Sequence, residues 1–336
     1  MDVITDKYSR IIDYMRISIT DRCNLRCIYC MPSDGIKLIE HKNILSYEEI
    51  IRIVKISAGL GVRKVRFTGG EPLIRGKLPY LIASVHNIDG IEDISLTTNG
   101  LLLKKYAYQL ARAGLRRINI SLDSFRPERY KEITRGGDIN DVLEGIHEAE
   151  KSGLTPVKIN MVPIRGFNDD EIEEFAVLTM KKECHVRFIE FMPIGDREIW
   201  GHEKYISTDE IKERVSKIAP ITAVKIRKSG PARYFRFEGA LGVIGFISPL
   251  THHFCNTCNR LRLTSDGKLR PCLFSETEID LRSAIRCGAE DEEIERLLRL
   301  AVEIKPEGHS INHVINHAIN HEKHFAHLKP MSKIGG

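Results

Sequence analysis

The feature that most constrains how this chain can fold is a rhythm. Six short β-type runs, Tyr14 to Thr20, Lys64 to Gly69, Asp93 to Asn99, Arg117 to Asp123, Val157 to Val162 and His185 to Met192, alternate with stretches whose apolar residues recur at helical spacing. Ser46 and Glu49 stand at capping-box spacing ahead of Ile50, Ile53 and Val54, and Gly59 lies where that helix should stop. Further helical patterns begin near Gly76, Lys104, Asp141 and Asp169. Alternating strands and helices build parallel βαβ units. Six units fall short of a closed eightfold barrel, so the pattern predicts an α/β fold, a partial (βα)6 barrel of TIM type within residues 1–204.

After Trp200 the rhythm changes. Ser207 and Glu210 repeat the capping spacing and open a helix to about Ile218. The runs Ile221 to Arg227, Arg233 to Glu238 and Gly242 to Ile247, with a hairpin turning at Ser265-Asp266-Gly267, predict a small antiparallel unit. A smaller α+β C-terminal domain is therefore expected over 205–305. Pro306-Glu307-Gly308 breaks the helix of Glu290 to Ile304 and begins a tail over 306–336.

With 336 residues, 42% of them hydrophobic, the chain can bury a large core and is not a disordered segment. Its longest apolar stretches, such as Gly242 to Leu250, are far short of the ~18 residues that span a bilayer, and no apolar signal region opens it. A cytoplasmic protein without a membrane partner is expected. The excess of 51 Lys and Arg over 46 Asp and Glu is too diffuse to announce a nucleic-acid surface.

Eight cysteines are too sparse for a secreted disulfide scaffold, and six form two tight groups, Cys23, Cys27, Cys30 and Cys255, Cys258, Cys272. Such grouping points to metal ligation in a reducing compartment. Cys184 and Cys287 stand apart and are expected to be buried structural thiols. The first triplet lies in the loop after the first strand, at the carboxyl end of the barrel, where such folds put their active sites. Ferredoxin clusters take four cysteines, so three would leave one iron open to a substrate or cofactor. A zinc site completed by a distant histidine is the alternative. Gly69-Gly70 at a strand end would let backbone approach a ligand closely.

Cys-x3-Cys-x2-Cys, with Tyr29 before the last cysteine and Thr68-Gly69-Gly70-Glu71-Pro72 after the second strand, resembles the radical SAM superfamily. The resemblance implies a 4Fe-4S cluster on Cys23, Cys27 and Cys30 whose open iron is chelated by S-adenosylmethionine (SAM). An electron from that cluster would cleave SAM to methionine and a 5′-deoxyadenosyl radical. It also implies that Tyr29, Gly70, Ser121 and Met192 contact SAM.

The second triplet, by spacing alone, is equally a zinc ribbon with His252, His253 or Cys287 as fourth ligand. Arg260-Leu261-Arg262 adds two arginines on one strand face, suited to holding phosphates beside the metal. Both triplets, this Arg-Leu-Arg, the segment Phe191-Met192-Pro193-Ile194-Gly195 and the ending Ser332-Lys333-Ile334-Gly335-Gly336 are together similar to the MoaA family of GTP 3′,8-cyclases, over nearly the whole chain. That resemblance implies a second 4Fe-4S cluster on Cys255, Cys258 and Cys272 that binds the guanine of GTP. Hydrogen abstraction from ribose C3′ and bonding of C3′ to guanine C8 would then give 3′,8-cyclo-7,8-dihydro-GTP, an early step of molybdenum cofactor biosynthesis. It assigns substrate contacts to Arg16, Arg66, Thr97, Lys158, Arg260, Leu261 and Arg262, and a catalytic role to Gly335 and Gly336. Its partners would be a flavodoxin- or ferredoxin-type electron donor, a downstream cyclic pyranopterin monophosphate synthase and a second copy of the chain. Five cations among those contacts would offset a triphosphate.

Two other readings compete. A radical SAM enzyme that modifies peptides would have an acidic or apolar groove and no triphosphate clamp. A zinc-ribbon adaptor for nucleic acid would hold zinc without iron. Departing from the family pattern, His309, His313, His317 and His321 repeat every four residues and are expected to form one stripe of a solvated or packing helix.

Overall fold

The computed structural model describes residues 3–194, 200–226, 230–309 and 331–334. The six β-type runs form β1 (Tyr14–Ser18), β2 (Lys64–Thr68), β3 (Asp93–Thr98), β4 (Arg117–Ser121), β5 (Val157–Met161) and β6 (Cys184–Ile189). Between them lie α1 (Tyr47–Gly59), α2 (Leu78–His86), α3 (Leu103–Arg112), α4 (Pro127–Thr134), α5 (Ile139–Lys151) and α6 (Ile172–Lys181). Adjacent strands pair in parallel from β1 through β6, as the alternating pattern predicts. The capping box at α1 is complete: the Glu49 amide donates to Ser46 Oγ at 3.1 Å and the Ser46 amide to Glu49 Oε2 at 2.6 Å.

The rest of the chain contributes α7 (Thr208–Ser216), β7 (Ile221–Val224), β8 (Arg233–Phe237), β9 (Val243–Ile247), β10 (Arg260–Leu263), β11 (Lys268–Arg270), β12 (Ile279–Asp280), α8 (Leu281–Arg286), α9 (Asp291–Glu303) and α10 (Met331–Ile334). The expected hairpin joins β10 to β11. These strands do not make a sheet of their own. β9 pairs in parallel with β6, and β10 pairs in parallel with β1, giving one twelve-stranded sheet in the order β12-β11-β10-β1-β2-β3-β4-β5-β6-β9-β8-β7. An open six-stranded set has two unpaired edges, and the C-terminal strands cover both.

Residue parity divides this sheet sharply. Met15, Ile17, Val65, Phe67, Leu96, Ile120, Ile159 and Val186 belong to the hydrophobic core on one side of the strands. Alternate positions on the same strands, Arg16, Arg66, Thr97, Lys158 and Arg187, line a cavity on the other. A parallel sheet covered by helices ordinarily reads as continuous apolar runs, so a polar face on its central strands marks an interior built for a polar ligand.

Candidate functional site

The first cysteine loop is seated by the residues that end β2. The Gly70 amide donates to the Thr20 carbonyl at 2.7 Å, and the Glu71 amide to the Arg22 carbonyl at 2.8 Å. A Cβ on Gly70 would lie 2.1 Å from the Arg22 carbonyl oxygen, and one on Gly69 would lie 2.7 Å from that of Thr20. The glycine pair thus admits the cysteine loop, and both glycines also line the cavity, where the sequence expects a ligand. Glu71, fully enclosed, accepts from the Leu73 amide (2.9 Å), Thr98 Oγ1 (2.7 Å) and the Asn99 amide (2.7 Å). Burial lifts its carboxyl to about 7 against these bonds. Asn99 in turn donates to Asn24 Oδ1 at 2.8 Å, and the Leu25 amide points at Cys23 Sγ from 3.4 Å. Tyr29 Oη donates to Asp123 Oδ2 at 2.6 Å, which ties the loop to the end of β4.

Burial, with Glu71 adding to it and the Leu25 amide opposing, pushes the Cys23 thiol up to about 11. Burial, then Cys30 and Asp123, hold Cys27 well above its ordinary value. Buried thiols of this kind ionise only beside a strong positive charge, such as iron, so the donor set fits a metal cluster.

The second triplet lies at the opposite end of the strands. β1 and β10 run parallel, yet Cys23 follows β1 while Cys255 and Cys258 precede β10; Cys272 follows the antiparallel β11, which returns to that same end. All six cysteines nevertheless line one cavity of about 360 Å³. Burial pushes the Cys258 thiol up, but Arg260 and Lys305 overcome it and bring it down to about 6. Of the zinc-ribbon candidates, His252 turns to Asp209 at 2.6 Å and Cys287 is exposed at the end of α8, while His253 lines the cavity with the triplet. The expectation that Cys287 is buried therefore fails, while Cys184 is buried at the start of β6. Among the described residues, no three His, Cys, Asp or Glu side chains converge as the ligands of a single ion do. Cysteines that each take a different iron of a cluster need no such convergence.

Between the triplets stands the cationic face. Arg16, Arg66, Thr97, Lys158, Arg260 and Arg262 all line the cavity, as do Tyr29, Gly70, Ser121 and Met192. Leu261 does not: one residue out of phase with its neighbours, it packs in the core, so its side chain is removed from the expected substrate contacts. Gly335 and Gly336 lie outside the described residues, as do His313, His317 and His321, while Met331 lines the cavity. His309 also lines it, its Nε2 donating to the Pro249 carbonyl at 2.8 Å.

Strand alternation adds residues that the sequence left unassigned. Arg117 shares a face with Asn119 and Ser121, Asn160 with Lys158, and Arg187 donates to Asn119 Oδ1 at 2.6 Å. Parity on each strand could have found them; what the sequence lacked was the face. Lys64 is matched by Asp13 at 2.7 Å and Arg117 by Asp93. Lys158 has no carboxylate partner among the described residues, and burial followed by Arg187, Arg117 and Arg66 presses its ammonium down to about 6. Burial and then Arg262 and Arg66 hold Arg16 well below its ordinary value. Buried Arg16 Nε, Arg187 Nε, Thr97 Oγ1 and Asn160 Oδ1 lack hydrogen-bond partners. These cations and the unused donors Arg16 Nε, Arg187 Nε and Thr97 Oγ1 fit a polyanion, while the acceptor Asn160 Oδ1 suits a hydroxyl or amine of the same ligand.

Residues 17–178 match the model of the radical SAM superfamily, and residues 184–311 match that described as Molybdenum Cofactor Synthesis C. The chain is 53% identical to a GTP 3′,8-cyclase of Thermodesulfovibrio yellowstonii over 98% of its own length and 99% of the relative's. It is 52% identical to that of Alkaliphilus oremlandii at the same coverage. Among solved structures it superposes on Streptococcus suis SuiB bound to precursor peptide SuiA, with a TM-score of 0.62 at 15% identity, over 91% of this chain and 68% of that one, a likeness of fold. The chain belongs to the GTP 3′,8-cyclase family of radical SAM enzymes.

Proposed function

We propose that the cavity takes GTP with its triphosphate on Arg16, Arg66, Lys158, Arg260 and Arg262, joined by Arg187, and its base toward Cys255, Cys258 and Cys272. SAM is read as lying against Tyr29, Gly70, Ser121 and Met192, beside a cluster held by Cys23, Cys27 and Cys30. The observation that carries this is the face of buried (Lys158, Arg187, Arg262) and half-buried (Arg16, Arg66, Arg260) cations between two cysteine triplets at opposite ends of one cavity. When bound, the cluster at Cys23 supplies the electron that cleaves SAM, opening radical chemistry at ribose C3′ that closes onto guanine C8. The chain's own residues bind and orient. The cations offset triphosphate charge in a site screened from water, where each charge-assisted bond is strong. Asp123 holds Tyr29, and Glu71 with Asn99 holds the loop that bears Cys23. A peptide-modifying relative would need an acidic or apolar groove, which the cationic lining argues against.

The remaining parts of the reading rest on family resemblance rather than on the reaction itself. Its electron is read as coming from a flavodoxin- or ferredoxin-type donor, its product as passing to cyclic pyranopterin monophosphate synthase, and the protein as cytoplasmic and able to pair with a second copy. No helix among the described residues is long and apolar enough to cross a membrane. The chain is read as a barrel over 1–204, a C-terminal domain over 205–305 and a tail, whereas the two family models meet earlier, between 178 and 184, and the second ends at 311. Gly335 and Gly336 are read as having a catalytic role, a reading supported by Met331, which lines the cavity, and by Ile334, which is buried. Calorimetry of GTP on the anaerobically reconstituted protein tests the clamp. Arg262→Ala or Arg260→Ala should weaken binding by about 1.5–3 kcal/mol, the scale of a hydrogen bond to a charged group. Unchanged affinity in both would remove the triphosphate from this face.

A further inference from the structure

Lys305, just after α9, is a buried cation that the proposed binding of GTP does not use. It is 2% exposed, and its Nζ donates to the carbonyls of Arg260 at 2.8 Å and Pro271 at 2.6 Å. Arg260 lies two residues after Cys258, and Pro271 lies immediately before Cys272. The ammonium therefore bridges the two chain segments that carry these cysteines. A buried charge needs a partner of opposite sign, because desolvation is otherwise uncompensated. Arg10, nearby and equally enclosed, has one: its Nε meets Asp6 at 2.6 Å while Nη1 donates to the Cys255 carbonyl at 2.6 Å. Lys305 has no carboxylate among the described residues. The anionic groups that act on it are Cys258 and Cys272. The first triplet is surrounded differently, with Glu71 acting on Cys23 and Asp123 on Cys27.

We propose that Lys305 is a positioning residue for the second cluster: its ammonium clamps the segments bearing Cys258 and Cys272 and is the fixed counter-charge of their thiolates. This rests on the reading of Cys255, Cys258 and Cys272 as an iron–sulfur site. Reduction adds negative charge to a cluster, so a cation fixed at its ligands favours the reduced form and raises the potential. The effect is confined to one of the two clusters, because the other lies at the far end of the strands.

The test is potentiometric EPR on the full chain, reconstituted anaerobically without GTP, with iron and sulfide counts alongside. SAM added in a parallel titration marks the signal of the first cluster. In Lys305→Met the reduced-to-oxidised ratio of the second cluster at a fixed potential should fall about tenfold, about 59 mV for a one-electron couple, with the first cluster unmoved. Lys305→Arg, which keeps the charge, should stay near the parent. If Lys305→Met loses the second cluster outright while Lys305→Arg keeps it, the counter-charge is supported. An unshifted potential in Lys305→Met, an equal shift of both clusters, or an Arg variant as impaired as the Met variant overturns the proposal. Zinc in place of half the iron in the unmutated protein overturns the two-cluster reading beneath it, and the proposal with it.

Discussion

Lys158 shows how strongly this interior selects for an anion. An ammonium ordinarily stays charged to about pH 10. Burial and three guanidinium neighbours instead bring Lys158 down to about 6. Between these values the unfolded chain holds a proton that the folded chain has released, so this residue makes stability rise with pH across that window. GTP reverses the local balance. In the proposed binding mode, triphosphate beside Lys158 restores its charge, so binding takes up a proton and affinity should increase as pH falls from about 9 toward 6, then level off. Calorimetry in buffers of different ionisation heat reads that uptake directly. Lys158→Met should abolish this component; the same uptake in the variant would assign the proton to another group.

At the scale of elements, the join between β2 and the loop after β1 governs whether the first cysteine triplet forms. Gly70→Ala would force a Cβ into the Arg22 backbone, which cannot yield as a flexible side chain does. Iron analysis after anaerobic reconstitution should then fall from about eight atoms per chain to about four, with the second cluster retained. A full complement would show that the loop moves at little cost. The strands and most helices of this frame were legible, because β-branched runs, capping pairs and stop glycines are local signals. α4 was not read from the sequence: it opens on Pro127 without a side-chain cap, and its buried residues are only Tyr130, Ile133 and Thr134. The pairing of β9 with β6 and β10 with β1 was hidden for a different reason. Short apolar runs announce a strand but not its partner, and these partners lie far away in sequence. The same limit hid Arg187, whose strand was recognised but whose face was not. Leu261 erred the opposite way, carried along with two arginines whose side chains face away from its own.

For the whole molecule, the decisive arrangement is that one sheet serves both cysteine sets. By laying β10 alongside β1 in the same direction, the fold sends the first triplet to one end and the second to the other, with the cationic face between them. Such a cavity can hold a long, highly charged ligand with its two ends in different chemical surroundings. The most direct measurement supplies the reduced, fully reconstituted protein with SAM and GTP deuterated at ribose C3′, and follows both products by mass spectrometry. Deuterium should move into 5′-deoxyadenosine while the nucleotide becomes 3′,8-cyclo-7,8-dihydro-GTP. Deuterium retained in an unaltered nucleotide, with SAM cleaved or not, would contradict this reading.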